Sequence, residues 1–166
     1  MFTLVFSRRY AMAHRLRHDT SEKCVIPHGH NEIVTVRLAA THSAPLDGAA
    51  NVITPFDDAK SRWHEWIDAH VDHALQLALD DPLLGYFVTA EPERVARIMT
   101  LPGDPTTEIL AACFMAKLNA FLDADGAELM CEEVTIEETP TNQVVFAGDP
   151  AKVLPQVTDR EHWWQR

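Results

Sequence analysis

The sequence predicts an α+β fold: a four-stranded antiparallel sheet with two helices on one face, in the order β-β-α-α-β-β. Three observations carry this. Two β-branched, apolar stretches open the chain. Two segments with helical periodicity and helix-start signals fill its middle. Two further strand-like runs, joined by a tight turn, follow the second helix. At 166 residues and 46% hydrophobic, the chain suffices for one domain with a buried core, spanning residues 1–166.

In chain order, residues 2–6 (FTLVF) read as the start of the first strand, and 28–40 (HGHNEIVTVRLAA) as the second. The polar connection RHDTSEKCVIP lies between them, and Pro45, Asp47 and Gly48 mark a turn within 42–50. The first helix should begin near Thr54 and Pro55: threonine caps, proline suits the first helical position, and Asp57 and Asp58 suit the positive helix end. Phe56, Ala59, Trp63, Trp66, Ile67 and His70 then share one face. Residues 78–103, with Pro82, Pro92 and Pro102 and no sustained period, read as an excursion too small to bury its own core. The second helix should start at Asp104 as cap with Pro105 following, carry Leu110, Phe114, Leu118, Phe121 and Leu122 as its stripe, and stop at Gly126. Residues 128–138 and Gln143–Phe146 read as a hairpin turning at Thr139–Asn142. A tail, 149–166, ends in His-Trp-Trp-Gln-Arg.

The net charge of −11 argues against nucleic acid, whose binding needs a basic face. Arg8, Arg9, Arg15, Arg17 and Lys23, set against Asp19 and Glu22, could still steer a small anion to one place. A solvated charged segment explains them equally well. No apolar run approaches the roughly 20 residues of a membrane span, so no membrane partner is expected. The N-terminus lacks the pattern of a secretory signal. Cys24, Cys113 and Cys131 are too few for a disulfide framework. A cytoplasmic protein is the expectation.

His28 and His30 flank Gly29 at the start of a strand, so both imidazoles point to one face. His14, just after the first strand, can come alongside. Three neutral imidazoles make an open zinc site with a position left for water or substrate. With Cys24 as a fourth ligand, the same set would be a closed structural site.

AHRL at 13–16, KC at 23–24 three residues before HGH at 28–30, DH at 72–73, PTTE at 105–108 and ET at 138–139 stand in the order of a known family. The chain resembles the 6-pyruvoyl-tetrahydropterin synthases, and KCxxxHGH resembles the branch making 6-carboxy-tetrahydropterin on the way to queuosine. The resemblance spans roughly residues 2–148. It implies the tunnelling fold (T-fold), assembled as homotrimers or homohexamers with inter-subunit active sites. Edge strands left open by a four-stranded sheet agree with assembly. By position, it implies His14, His28 and His30 as zinc ligands and Cys24, Asp72 and His73 as the catalytic group. It implies Glu138 as the pterin anchor, helped by Thr106, Thr107 and Glu108.

These roles are chemically sound. One carboxylate can accept two adjacent N–H donors of a pterin. Zinc activates hydroxyls as a Lewis acid, and a thiolate beside a cation can act as base. The expected function is that of a zinc-dependent carbon-oxygen/carbon-carbon lyase. It would convert 7,8-dihydroneopterin triphosphate to 6-carboxy-tetrahydropterin, acetaldehyde and triphosphate. The alternatives are a 6-pyruvoyl-tetrahydropterin synthase or a dihydroneopterin aldolase on the same frame, or a non-catalytic pterin-binding paralogue. The chain departs from the family pattern at Pro55-Phe56, where an aspartate often precedes the phenylalanine. It also departs in the 33-position gap from His73 to Thr106, which makes the 78–103 excursion and the Trp-rich tail extra.

Overall fold

The computed structural model describes residues 2–18, 21–42, 45–156 and 162–166. Asp19 of the basic segment, residues 43–44 of the expected turn and 157–161 of the tail therefore lie outside the described residues.

The first strand is longer than its apolar start suggests. β1 runs Thr3–His14 and pairs antiparallel with β2, His28–Ala40, from Thr3↔Ala39 to His14↔His28. The short helix α1, Glu22–Val25, capped by Ser21, lies between them. Even-numbered residues of both strands face inward, which buries Phe6, Tyr10, Met12 and His14 beside Glu32, Val34, Val36 and Leu38. β5, Leu129–Thr139, continues the sheet beyond β2, and β6, Asn142–Phe146, closes the hairpin expected there.

The middle of the chain corrects the sheet. Helix α2, Phe56–Trp66, continues into a π-helical turn, Ile67–Val71, and the chain then forms β3, Ala74–Ala78. Helix α3, Pro82–Ala90, and a 3-10 turn, Pro92–Arg97, lead to β4, Ile98–Leu101. β3 pairs parallel with the end of β1 through Met12–His14, and β4 pairs parallel with β3. The sheet thus has six strands, order β4-β3-β1-β2-β5-β6, and is mixed; the expectation of four antiparallel strands was incomplete. The excursion is the crossover of a parallel strand pair. Ala74, Gln76, Leu77 and Ala78 are all buried, so both faces of β3 are covered and its sequence lacks polar/apolar alternation.

Helices α2 and α4, Thr107–Ala124, cover one face of the sheet. Trp63 packs edge-on against Phe114 and stacks on Trp66, and Leu110, Leu118 and Ile67 complete the centre of the core. Two members of the expected first-helix face do not belong to it: Phe56 is 51% exposed, and His70 lies exposed on the π-helical turn. Pro55 occupies the cap position of α2 without a side-chain hydrogen bond. Gly126, at φ 63°, follows α4 as expected of a glycine stop. The cap of α4 is Thr106, not Asp104. The Asp104 carboxylate instead accepts the backbone N–H groups of Arg17 and His18, 2.7 Å each. After the short helix α5, Pro150–Val153, the tail packs onto the helix layer. Trp163 stacks on Trp66 and its indole N–H donates to the Thr100 carbonyl at 2.8 Å, while Trp164 is buried.

Candidate metal centre and active site

Register places the three histidines. His14 faces His28 across the last β1–β2 pair, and His30 sits opposite Met12. Gly29 between them is a steric requirement: a Cβ there would lie 2.9 Å from the Met12 carbonyl oxygen. The three imidazoles meet edge to face, and one nitrogen from each lies within 4.8 Å of the others.

Hydrogen bonding fixes what those nitrogens are. His14 Nδ1 donates to the Pro105 carbonyl at 2.9 Å, and His28 Nδ1 donates to the Ile26 carbonyl at 3.0 Å. A carbonyl can only accept, so both Nδ1 atoms carry hydrogen, and in neutral rings both Nε2 atoms present lone pairs. Those two atoms face each other at 3.1 Å. Two acceptors that close need a cation between them, and zinc-bound nitrogens of a tetrahedral site stand about 3.3 Å apart. Burial holds His14 below the ordinary histidine range; the Pro105 carbonyl opposes this and the other two imidazoles reinforce it. The donor set therefore fits zinc. Among the described residues, Cys24 is not part of this donor group, so it does not close the site.

Cys24 sits on α1, partly exposed, with its carbonyl accepting Leu16 N–H at 2.8 Å. Asp72 and His73 lie at the outer edge of β1. One Asp72 oxygen accepts Ala11 N–H at 2.8 Å, His73 N–H donates to the Ala11 carbonyl at 2.7 Å, and the second Asp72 oxygen accepts His73 Nδ1–H at 2.8 Å. The Ala11 hydrogen bond holds the Asp72 carboxyl below its usual range, with His73 adding to it against a small cost of burial. His73 stands at φ 62°, a strained conformation for a residue with a side chain, and its ring is 78% exposed. Among the described residues no hydrogen bond joins this pair to Cys24.

Thr106, Thr107, Glu108 and Glu138 do come together. With Leu16, Asn142, Gln143 and Val144 they line a groove of about 310 Å³. Thr107 Oγ1 donates to Glu138 Oε1 at 3.1 Å. Glu138 is the extra residue of a β-bulge between Glu137 and Thr139, a device that re-aims a side chain.

Comparison with known proteins bears on this arrangement. The 6-pyruvoyl tetrahydropterin synthase family model matches residues 3–149. The chain belongs to that family. Solved structures show the same fold. An uncharacterised Wolinella succinogenes protein, WS1659, superposes with TM-score 0.71 at 19% identity, covering 89% of this chain and 98% of that one. The 6-pyruvoyl tetrahydropterin synthase of Caenorhabditis elegans gives 0.58 at 24%, covering 89% and 96%. That of Plasmodium vivax gives 0.65 at 16%, covering 89% and 98%. A search among curated proteins gives no match.

Within this family frame, sequence reasoning missed three features. Pro105 and Ile26 orient His14 and His28 through backbone carbonyls, which leave no sequence signal. Asn142 and Gln143 line the groove from β6. Glu32, 1% exposed, accepts the Tyr10 hydroxyl at 2.5 Å. Burial pushes the Glu32 carboxyl up to about 7; the Tyr10 hydrogen bond opposes this and Glu138 adds to it. A signal for Glu32 existed: alternation back from Leu38, Val36 and Val34 puts it on the inner face.

The basic segment is largely neutralised. Arg8 pairs with Asp68, Arg15 with the buried Asp81, and Arg17 with Asp80 while also approaching Asp81 and Asp104. Arg9 and Lys23 have no ion pair among the described residues, which leaves two cations of the five for steering.

Proposed function

We propose that this family member is a zinc-dependent lyase. Its substrate would be 7,8-dihydroneopterin triphosphate, converted with water to 6-carboxy-tetrahydropterin, acetaldehyde and triphosphate. The observation that carries the reading is the pair of imidazole lone pairs facing each other 3.1 Å apart, one short strand segment from the Glu138 groove. His14, His28 and His30 would hold the metal. When bound, it supplies Lewis acidity toward the hydroxyls of the pterin side chain.

The chain's own residues would do the rest. Glu138 accepts the adjacent N–H donors of the pterin ring, with Thr107 fixing its carboxylate plane. Thr106 and Glu108 wall the groove at the start of α4. Cys24 is the base that removes a proton from a side-chain carbon. His73 offers Nε2 as the relay, its ring oriented by Asp72. Among the described residues no hydrogen bond connects Cys24 to the Asp72–His73 pair, which favours a homotrimer or homohexamer in which a neighbour supplies the missing half. Thr3–Arg9 of β1 have, among the described residues, no strand on their outer side, and neither does β6, which supports the same reading. A cytoplasmic location fits three free thiols. No helix among the described residues is long and apolar enough to cross a membrane.

Elimination to 6-pyruvoyl-tetrahydropterin is the second reading, favoured by the name of the matching family. Incubating zinc-loaded protein with dihydroneopterin triphosphate and identifying products by mass spectrometry separates the two. Release of neither triphosphate nor aldehyde would count against both.

A further inference from the structure

The sheet face that carries the histidines carries a second, unexplained row. Tyr10 and Glu32 are direct partners across β1 and β2. The β2–β5 register, Ile33↔Glu137 and Val34↔Ile136, carries the row on to Glu138. The row Tyr10–Glu32–Glu138 therefore lies next to the rows Met12–His30 and His14–His28. Glu32 follows His30 by two residues, about 7 Å along one strand face.

Two carboxylates side by side across strands repel each other. Glu138 is half-exposed and has Thr107 and the open groove. Glu32 has neither: it is 1% exposed, and its hydrogen-bond partner is the neutral Tyr10 hydroxyl. No ion pair among the described residues involves it. A carboxyl withdrawn from water without a cation is pushed toward its neutral form, and a dication on the same sheet face is what would favour its charge. Three neutral imidazoles, for their part, leave a bound dication with its whole charge.

We propose that Glu32 is the counter-charge of the His14–His28–His30 site, a positioning residue that sets dication affinity without ligating the ion. This rests on the reading that the triad holds a divalent metal. Tyr10 holds the Glu32 carboxylate in place on the inner face, so that its negative charge lies beside His30 in a medium that screens it poorly. The tilt toward cations at this site then comes from a residue outside the ligand set.

The test uses full-length protein stripped of metal and titrated with zinc against a chromophoric chelator. Glu32→Gln should weaken zinc binding about 10- to 100-fold, the range seen when groups beside a metal's ligands are removed. Tyr10→Phe, which keeps the carboxyl and deletes the bond that favours its charge, should weaken zinc binding in the same direction but less than Glu32→Gln. The metal-free Glu32→Gln protein should melt no lower than wild type, while its gain in Tm on zinc addition should shrink. A merely structural role would lower the metal-free Tm instead. Should Glu32→Gln not fold, Glu32→Leu removes the charge with a side chain suited to a buried strand, and the same loss of affinity is expected. Unchanged zinc affinity in a folded charge-removed variant overturns the proposal while leaving the metal reading intact. Wild-type protein that takes up no zinc overturns both.

Discussion

Glu138→Gln separates recognition of the pterin from the chemistry done on it. The wild-type carboxylate accepts Thr107 Oγ1 on one oxygen, leaving the second oxygen and the remaining lone pairs for the ligand. In the glutamine variant the Thr107 hydroxyl favours the amide oxygen, which turns the NH₂ toward the groove. There it meets the N–H edge of the pterin, donor against donor. At least one charge-assisted hydrogen bond is lost, worth about 1.5–3 kcal/mol. Since about 1.4 kcal/mol is a factor of ten, affinity should fall at least tenfold. Glu137, beside the buried Ile136, points to the other sheet face and is the control. Calorimetric titration of both variants with neopterin, a non-reactive ligand, gives the comparison. Zinc content at saturating metal and oligomeric state should match wild type in both. Equal affinities for the two variants would refute the anchoring role and reopen the substrate class.

Metal analysis of purified protein should find about one zinc per chain, and His28→Ala should lose most of it, since two facing donors become one. Cys24→Ala should reduce turnover by about a hundred- to ten-thousand-fold with zinc and pterin binding kept; loss of zinc would make Cys24 a ligand instead. Sedimentation at micromolar concentration should show a trimer or hexamer, and a stable monomer would remove the inter-subunit site. Asp81 offers a pH test: burial raises its carboxyl, but Arg15, Leu83 N–H and Arg17 together outweigh this and leave it below the usual range. A depressed carboxylate contributes stability above its unfolded pKa of about 4 and loses it as pH falls through the folded value. Wild-type Tm should therefore drop more steeply than that of Asp81→Asn below about pH 4.

The clustering of His14, His28 and His30 was legible because strand periodicity and one glycine determine it: His28 and His30 must share a face, and Gly29 must let β1 approach. The helices were legible from their stripes, but their starts were not. Asp104 has the right chemistry for a cap and spends it on the backbone of Arg17 and His18, a tertiary choice invisible in local sequence. β3 escaped because a strand buried on both sides loses the alternation that marks a strand, and β4 because its alternation runs over only Ile98–Leu101. Glu32 was visible in principle, since its inward position follows from Val34 and Val36, yet in HGHNE it reads as one more polar residue near a metal motif. Cys24 is tied to Leu16 and the Asp72–His73 pair to Ala11, tertiary placements about which motif order along the chain carries no information.

The capture of Ala11 by Asp72 and His73 has a bearing on how copies of the chain could join. Both outward backbone groups of Ala11 are occupied, and β3 takes Met12–His14 immediately beyond. Along this side of β1 an incoming strand can therefore pair with Thr3–Arg9 and meets a stop at its upper end. β6, five residues long, is short enough to fit that berth. Strand pairing can slip in steps of two without exchanging faces, and a slip toward the histidines would run into the stop. The αL histidine and its aspartate would then serve as a ruler, fixing the height at which a neighbour docks and hence where its side chains reach the histidine cluster.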